Sequence, residues 1–118
     1  MVYKNLGFYA IFVESEISTF LDAQFIDGYW FSSWMGLIFQ STNQWIFHSQ
    51  LGWLYPELNS SGIWIWKDGL GWLWTTEHIY SQNFLWDNHS ENWIYLDNED
   101  ENKIRIYDYE SSSWADWP

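Results

Sequence analysis

The stretches WIFHSQLGWLY at residues 45–55 and WIWKDGLGWLW at residues 64–74 are two copies of one pattern, identical at six of eleven positions. A related copy, YWFSSWMGLIF, occupies residues 29–39, and FLWDNHSENWIY at residues 84–95 is a fourth copy with one inserted loop residue. Residues 104–117 carry a looser fifth copy. A pattern that recurs about every twenty residues is typical of a repeat architecture, so each copy should be one structural unit.

Each copy predicts a β-hairpin, because two short runs of aromatic and aliphatic residues flank a turn-forming segment, SQLG or DGLG. Gly52 and Gly71 stand where the turn requires a positive φ, which glycine adopts without strain. We therefore predict an all-β fold of four or five antiparallel hairpins in a single domain over residues 1–118. Two arrangements satisfy the pattern, a hairpin solenoid and a compact sandwich or barrel, and the strict repeat favours the solenoid.

Side chains alternate between the two faces of a strand, so the pattern separates aromatic from aliphatic residues. One face of the hairpins is predicted to carry Trp45, Phe47, Trp53, Tyr55, Trp64, Trp66, Trp72, Trp74, Phe84, Trp86, Trp93 and Tyr95. The other face is predicted to carry Ile46, Leu54, Ile65, Leu73, Leu85 and Ile94. Two interpretations of the aromatic face remain. Either its rings pack between hairpins as the core, which a short repeat unit favours, or they form an exposed platform.

The segments between the copies are polar and rich in turn formers, which predicts loops at residues 56–62, 75–83 and 97–103. Residues 15–25 differ, because their apolar side chains recur at helical spacing behind a possible cap at Ser15, and they predict one short helix. Residues 6–13 form an apolar run that predicts a strand able to pair with the first hairpin.

Composition excludes several classes of function. The chain has sixteen acidic and four basic residues and a net charge of −12, which repels nucleic acids and anionic membrane surfaces. It has no cysteine, so disulfides and cysteine-ligated metals are excluded. The longest apolar run, residues 6–13, is too short for membrane insertion, and no signal peptide is visible around it. The 28 aromatic residues are too many for the interior of so small a chain, which points to an aromatic surface.

The sequence offers little material for catalysis or metal binding. His48, His78 and His89 fall at a predicted strand end, a connector and a turn, a spacing that predicts no common site. Residues 97–108 resemble a calcium-binding loop in their acidic content, but Asn102 replaces the glycine of the sixth position and Asp108 the glutamate of the twelfth. We therefore predict no enzyme, no metal site and no cofactor, and a solvated acidic loop.

The GWLY motif at residues 52–55 and the GWLWT motif at residues 71–75 each follow a strand of the form Trp-hydrophobic-aromatic. With these motifs, residues 29–117 resemble tryptophan-rich hairpin repeats at the ends of bacterial, often marine, surface proteins of unassigned function. The resemblance implies an extracellular or cell-surface location. A looser similarity connects the motifs with cell-wall and choline-binding repeats, from which this chain departs in its negative charge and in lacking a Lys-rich, Tyr-Tyr strand.

These observations predict a non-enzymatic module that acts in interaction or as a structural terminal unit, including assembly into a homo-oligomer. The alternative is a carbohydrate or cell-wall binding module that uses exposed Trp platforms, with a neutral glycan rather than another protein chain as partner. The candidate ligand-binding residues are Trp45, Trp53, Trp64, Trp66, Trp72, Trp74, Trp86 and Trp93.

Overall fold

A computed structural model of the protein describes residues 21–59, 62–100 and 102–118. Within them lie eleven strands that form one sheet in sequence order, each antiparallel to the next, and one short helix. This confirms the predicted all-β hairpin class. The elements are β1(Ala23–Ile26), β2(Tyr29–Ser32), β3(Gly36–Gln40), β4(Ile46–His48), β5(Gly52–Asn59), β6(Gly62–Lys67), β7(Gly71–Thr75), α1(Glu77–Ser81), β8(Phe84–Asp87), β9(Asn92–Asp97), β10(Arg105–Asp108) and β11(Ser113–Asp116).

The five repeat copies coincide with the strand pairs β2–β3, β4–β5, β6–β7, β8–β9 and β10–β11. An additional hairpin precedes them, because β1 pairs with β2 through a two-residue turn at Asp27 and Gly28. Both turn residues have a positive φ, +52° and +87°, as a type I′ turn requires. The helix predicted for residues 15–25 is therefore wrong at its end, where β1 lies, and its earlier part lies outside the described residues. The strand predicted at residues 6–13 also lies outside them.

Glycines close the three-residue turns of the first repeat hairpins. Gly36, Gly52 and Gly71 each follow such a turn with φ of +90°, +79° and +91°. In the β8–β9 hairpin the inserted residue lengthens the turn to four residues, since Asp87 pairs with Asn92. The positive φ of 55° consequently falls on Glu91, one residue before the asparagine that replaces the glycine in the sequence pattern.

Replacing Gly71 with valine is expected to lower the free energy of unfolding by about 2 kcal/mol, because a β-branched side chain is strained at positive φ. Space is not the cause, since a Cβ at this position would lie 3.8 Å from the nearest atom, on the Trp66 ring. Leu70→Ala, which trims a half-buried side chain of the same turn, should cost about half as much. Thermal unfolding of the two variants checks this order, and a larger loss for Leu70→Ala would mean that the turn geometry is wrong.

Strand β5 divides the sheet into two halves, β1 to β5 and β5 to β11. Its residues 52–54 pair with β4 and its residues 55–59 pair with β6, so each end of the strand is bonded on one side. Pro56 is tolerated at the junction because a residue without an N–H fits a strand that is bonded on one side only. The loop predicted for residues 56–62 is thus wrong at residues 56–59, which belong to β5, and at residue 62, where β6 begins.

The aliphatic face of the sheet is the interior. Its side chains come from both halves and form one cluster with almost no exposure, and the fully buried strand residues are Ile38, Ile46, Leu54, Ile63, Ile65, Leu73, Leu85 and Ile94. The predicted separation of aromatic from aliphatic residues is confirmed. The favoured interpretation that the indoles form the core is wrong, because Leu and Ile side chains fill most of the interior and, of the twelve tryptophans, Trp30 alone is buried.

Buried polar side chains connect each hairpin to the one before it. The last residue of the first strand in three successive hairpins donates a hydrogen bond to a preceding turn or loop carbonyl. Ser32 Oγ donates to Leu21 O at 2.6 Å, His48 Nε2 to Met35 O at 2.5 Å and Lys67 Nζ to Leu51 O at 2.9 Å. These bonds fix the position of each hairpin and satisfy carbonyls that would otherwise be buried without a partner.

The predicted loop at residues 75–83 contains α1, which the sequence analysis missed. Thr76 is the N-cap of the helix, and its Oγ1 accepts a hydrogen bond from Ile79 N at 3.1 Å. The helix brings Tyr80 against the first half of the sheet, where its ring meets Trp34 and His48 edge to face. None of the helices in the described part of the chain is long and apolar enough to cross a membrane.

Trp117, which follows β11, connects the second half of the sheet to the first. Trp117 Nε1 donates to Leu51 O at 2.8 Å, and the Lys67 ammonium lies 5.7 Å from the centre of the Trp117 ring. Leu51 O therefore accepts from both Lys67 and Trp117, which joins the β4–β5 turn to the end of β11. Burial lowers the pKa of Lys67, and the neighbouring Asp68 carboxylate partly offsets that shift.

Candidate functional site

The outer face of the sheet is covered with aromatic side chains, and we call it the outer aromatic face. Alternation along the strands turns these rings away from the buried aliphatic cluster. The face consists of Tyr29, Phe31, Phe39, Trp45, Phe47, Trp53, Tyr55, Trp64, Trp66, Trp72, Trp74, Phe84, Trp86, Trp93, Tyr95, Tyr107 and Trp114. All eight predicted ligand-binding tryptophans thus share one side of the sheet.

Most of these rings are paired within their own hairpin. Next to each of four turns an edge-to-face pair links the two strands, with ring centres 5.2 to 5.6 Å apart: Phe47 with Trp53, Trp66 with Trp72, Trp86 with Trp93, and Tyr107 with Trp114. Such pairs contribute about 0.5–1.5 kcal/mol each beyond the area that they bury. The rings therefore stabilise the hairpins although they lie outside the core.

Exposure varies along the outer aromatic face. Trp45, Trp64, Trp66, Trp72, Trp74 and Trp86 are half-buried, whereas Trp53 and Trp93 are exposed. The most continuous exposed part lies on β2 to β5, where five rings are between 41% and 51% exposed: Tyr29, Phe31, Phe39, Phe47 and Trp53. The sequence analysis singled out only Trp53 among these as a binding residue, because it weighed tryptophans and gave no weight to phenylalanine or tyrosine in the first copy.

Four of these rings, Tyr29, Phe39, Phe47 and Trp53, border a shallow apolar depression of about 460 Å³ on β2 to β5. Its lining is aromatic and aliphatic except for Ser49, and it also includes Leu37, which is itself 46% exposed. Among the described outward-facing side chains of β1 to β5, Glu57 is the only Asp, Glu, Lys or Arg. We call this region the aromatic depression. Its mostly apolar lining suits the burial of apolar surface.

The three histidines lie apart. His48 is buried, and its Nδ1 accepts hydrogen bonds from Gln50 N and Leu51 N at 3.2 and 3.0 Å, so the ring serves the β4–β5 turn. Burial lowers the pKa of His48, and the hydrogen bond to Met35 O only partly offsets that shift. His78 lies in α1 and His89 in the β8–β9 turn.

In the acidic loop after β9, two carboxylates accept hydrogen bonds from the backbone of the same loop. Asp97 Oδ1 accepts a hydrogen bond from Glu99 N at 3.3 Å, and Asp100 Oδ1 accepts one from Asn102 N at 3.0 Å. Across residues 21–59, 62–100 and 102–118, no three His, Asp or Glu side chains are grouped so that they could hold a metal ion.

The chain was compared with protein-family models, with curated proteins and with solved structures, and no comparison finds a match. The resemblance of the GWLY and GWLWT motifs to tryptophan-rich surface repeats therefore stays a prediction.

Proposed function

We propose that this chain is a non-enzymatic interaction module that binds another protein through the aromatic depression. The observation that carries the proposal is the continuous exposure of Tyr29, Phe31, Phe39, Phe47 and Trp53 on adjacent strands. Exposed apolar patches are rare on monomeric proteins unless they bind something, and Tyr, Trp and Phe are enriched where proteins meet.

The polarity of the depression favours a protein over a glycan. A sugar needs several hydrogen-bonding groups beside the ring on which it stacks, and the lining of the depression provides one non-aromatic polar side chain, Ser49, besides the Tyr29 hydroxyl and the Trp53 indole N–H. Apolar side chains of a protein partner need no such groups. Sequence reasoning offered a neutral glycan as the alternative partner, and the experiment below distinguishes the two.

Net charge favours a basic partner over a second copy of the chain. Two copies would each bring a net charge of −12 to their common interface, which opposes association at ordinary salt concentrations. A partner with an apolar patch and basic residues around it would gain from the same charge. The proposal includes a cell-surface location, for which the only support is the resemblance of the GWLY and GWLWT motifs to surface repeats.

The test uses a fluorescently labelled peptide of alternating leucine and lysine, whose binding is followed by anisotropy. We expect saturable binding that Phe47→Thr weakens by about tenfold or more, since loss of one central ring at an interface commonly has that effect. Trp114→Thr is the matched control. Both rings are exposed and both pair edge to face at 5.3 Å, but Trp114 lies on β11, outside the aromatic depression.

Three outcomes would reject the protein partner. The first is absence of peptide binding, or an equal loss in both variants. The second is a rise of the molecular mass with concentration in light scattering that Phe47→Thr abolishes, which would assign the depression to self-assembly. The third is a saturable response to a neutral oligosaccharide that Phe47→Thr removes, which would assign it to a glycan.

A further inference from the structure

A second cavity lies between the β2–β3 turn, the β4–β5 turn and α1, next to the aromatic depression. Its volume is about 520 Å³, within the range of ordinary ligand sites. No lysine, arginine, histidine, aspartate or glutamate lines it. Among its lining residues are Trp34, Gln50, Tyr80, Ser81, Asn83 and Asn98, and it shares Ser49 with the aromatic depression. We call it the polar cavity, and we propose that it binds a neutral sugar.

Two aromatic rings give the polar cavity a firm wall. Trp34 and Tyr80 meet edge to face with ring centres 5.9 Å apart, and the ring of His48 packs edge to face on Tyr80 from the interior. The wall is held in place because His48 is itself fixed by hydrogen bonds to Met35, Gln50 and Leu51. Rigid aromatic surfaces of this kind are what the apolar C–H groups of a sugar ring contact.

Polar groups with unused hydrogen-bonding capacity surround this wall. The Trp34 indole N–H, the Tyr80 hydroxyl and the Gln50 side-chain amide form no hydrogen bond with any described residue. Burial raises the pKa of Tyr80 to about 12, so its hydroxyl keeps its proton at neutral pH and can donate. Asn98 uses its oxygen to accept from Asn83 Nδ2 at 3.4 Å, which leaves its amino group available. Together these groups provide donors and acceptors at several points.

Charge and size narrow the ligand class. An anion would enter a molecule of net charge −12 without meeting a basic side chain in the cavity, and a simple cation would meet no carboxylate there. A neutral molecule with many hydroxyl groups and an apolar ring face fits both features, and the volume accommodates one or two sugar rings. The inference goes beyond the proposed protein interaction and does not depend on it.

The experiment titrates the full chain with glucose, galactose, mannose, N-acetylglucosamine and their β-linked disaccharides, and records calorimetric heats and tryptophan fluorescence. We expect saturable binding of at least one sugar, with an affinity that Tyr80→Phe lowers by about tenfold, since this change removes one hydrogen bond and keeps the ring. Gln50→Ala should lower the affinity by a similar factor. Glycerol and choline, titrated in parallel, should give no saturable response.

Tyr29→Phe is the matched control, because it removes the same hydroxyl from a ring of the outer aromatic face. Its sugar affinity should equal that of the unmodified chain. The inference is wrong if no sugar of the panel binds, or if Tyr80→Phe and Gln50→Ala bind with unchanged affinity. It is also wrong if Tyr29→Phe weakens sugar binding while Tyr80→Phe leaves it unaltered, since the sugar would then lie on the outer aromatic face.

Discussion

Leu54→Ala is expected to lower the free energy of unfolding by about 3 kcal/mol, more than any substitution on the outer face of the same strand. Leu54 is fully buried at the centre of the aliphatic cluster, where it faces Ile46 across the β4–β5 ladder. Truncating a buried leucine removes its transfer free energy and leaves a cavity, which together amount to about 2–5 kcal/mol. Chemical denaturation with urea measures the change. If the dependence of the unfolding free energy on urea concentration is unaltered, the substitution changes stability without changing the compactness of the folded or unfolded state.

Trp53→Ala is the control for this prediction, because Trp53 precedes Leu54 and points to the opposite face. The indole is 48% exposed and loses mainly its edge-to-face contact with Phe47, so we expect a loss of about 1 kcal/mol. Truncation of the smaller side chain, Leu54, should thus lower the free energy of unfolding more than truncation of the larger one, Trp53. If Trp53→Ala is the more destabilising substitution, the indoles are the core and the assignment of the two faces is wrong.

The hairpins and the separation of side chains between faces could be predicted because both depend on local patterns. The alternation of side chains along a strand can be recognised from neighbouring residues alone. The turns are indicated by Gly52 and Gly71, whose positive φ few other residues tolerate. The β8–β9 turn shows the limit of this reasoning. Its inserted residue moved the positive φ to Glu91, although Asn92 occupies the aligned position.

Which face is inside could not be predicted, because both faces are apolar and hydrophobicity alone does not rank them. The sequence also did not show that pairing passes from β4 to β6 within one strand, β5. That change of partner was hidden because Pro56 and the polar residues after it have the composition of a loop. Proline in a strand bonded on one side is compatible with the sheet, but a sequence does not show which strands are bonded on one side.

The two candidate sites differ in how much of each could be predicted from the sequence. The aromatic depression lies on hairpins whose alternation was predicted, and its exposed rings needed only the knowledge of which face is outside. The polar cavity joins Trp34, Gln50, Tyr80 and Asn98, which come from four separate segments. Their meeting depends on α1, which the polar composition of residues 75–83 concealed, and on the contacts of Tyr80 with Trp34 and His48.

His48 connects the core, the β4–β5 turn and the polar cavity, and its replacement by leucine should cost about 3 kcal/mol. Leucine fills most of the volume but leaves Met35 O, Gln50 N and Leu51 N without their partner in the interior. Each buried polar group that loses its hydrogen bond costs about 1–3 kcal/mol, and relaxation of the turn recovers part of that. His48→Asn should cost about 1 kcal/mol, because its oxygen can accept from the turn as Asp87 Oδ1 accepts from His89 N.

The same histidine should make stability depend on pH. Burial lowers the pKa of His48 in the folded protein below the value of about 6.5 that an unfolded chain has, so the unfolded state takes up a proton first as the pH falls. The stabilisation is fully present above about pH 6.5 and is lost progressively below it. Thermal melts at a series of pH values should therefore show a fall in Tm in the unmodified chain that His48→Asn lacks. Parallel curves for the two proteins would mean that His48 is not held neutral by its surroundings, which would contradict the assignment of Nδ1 as the acceptor for the turn.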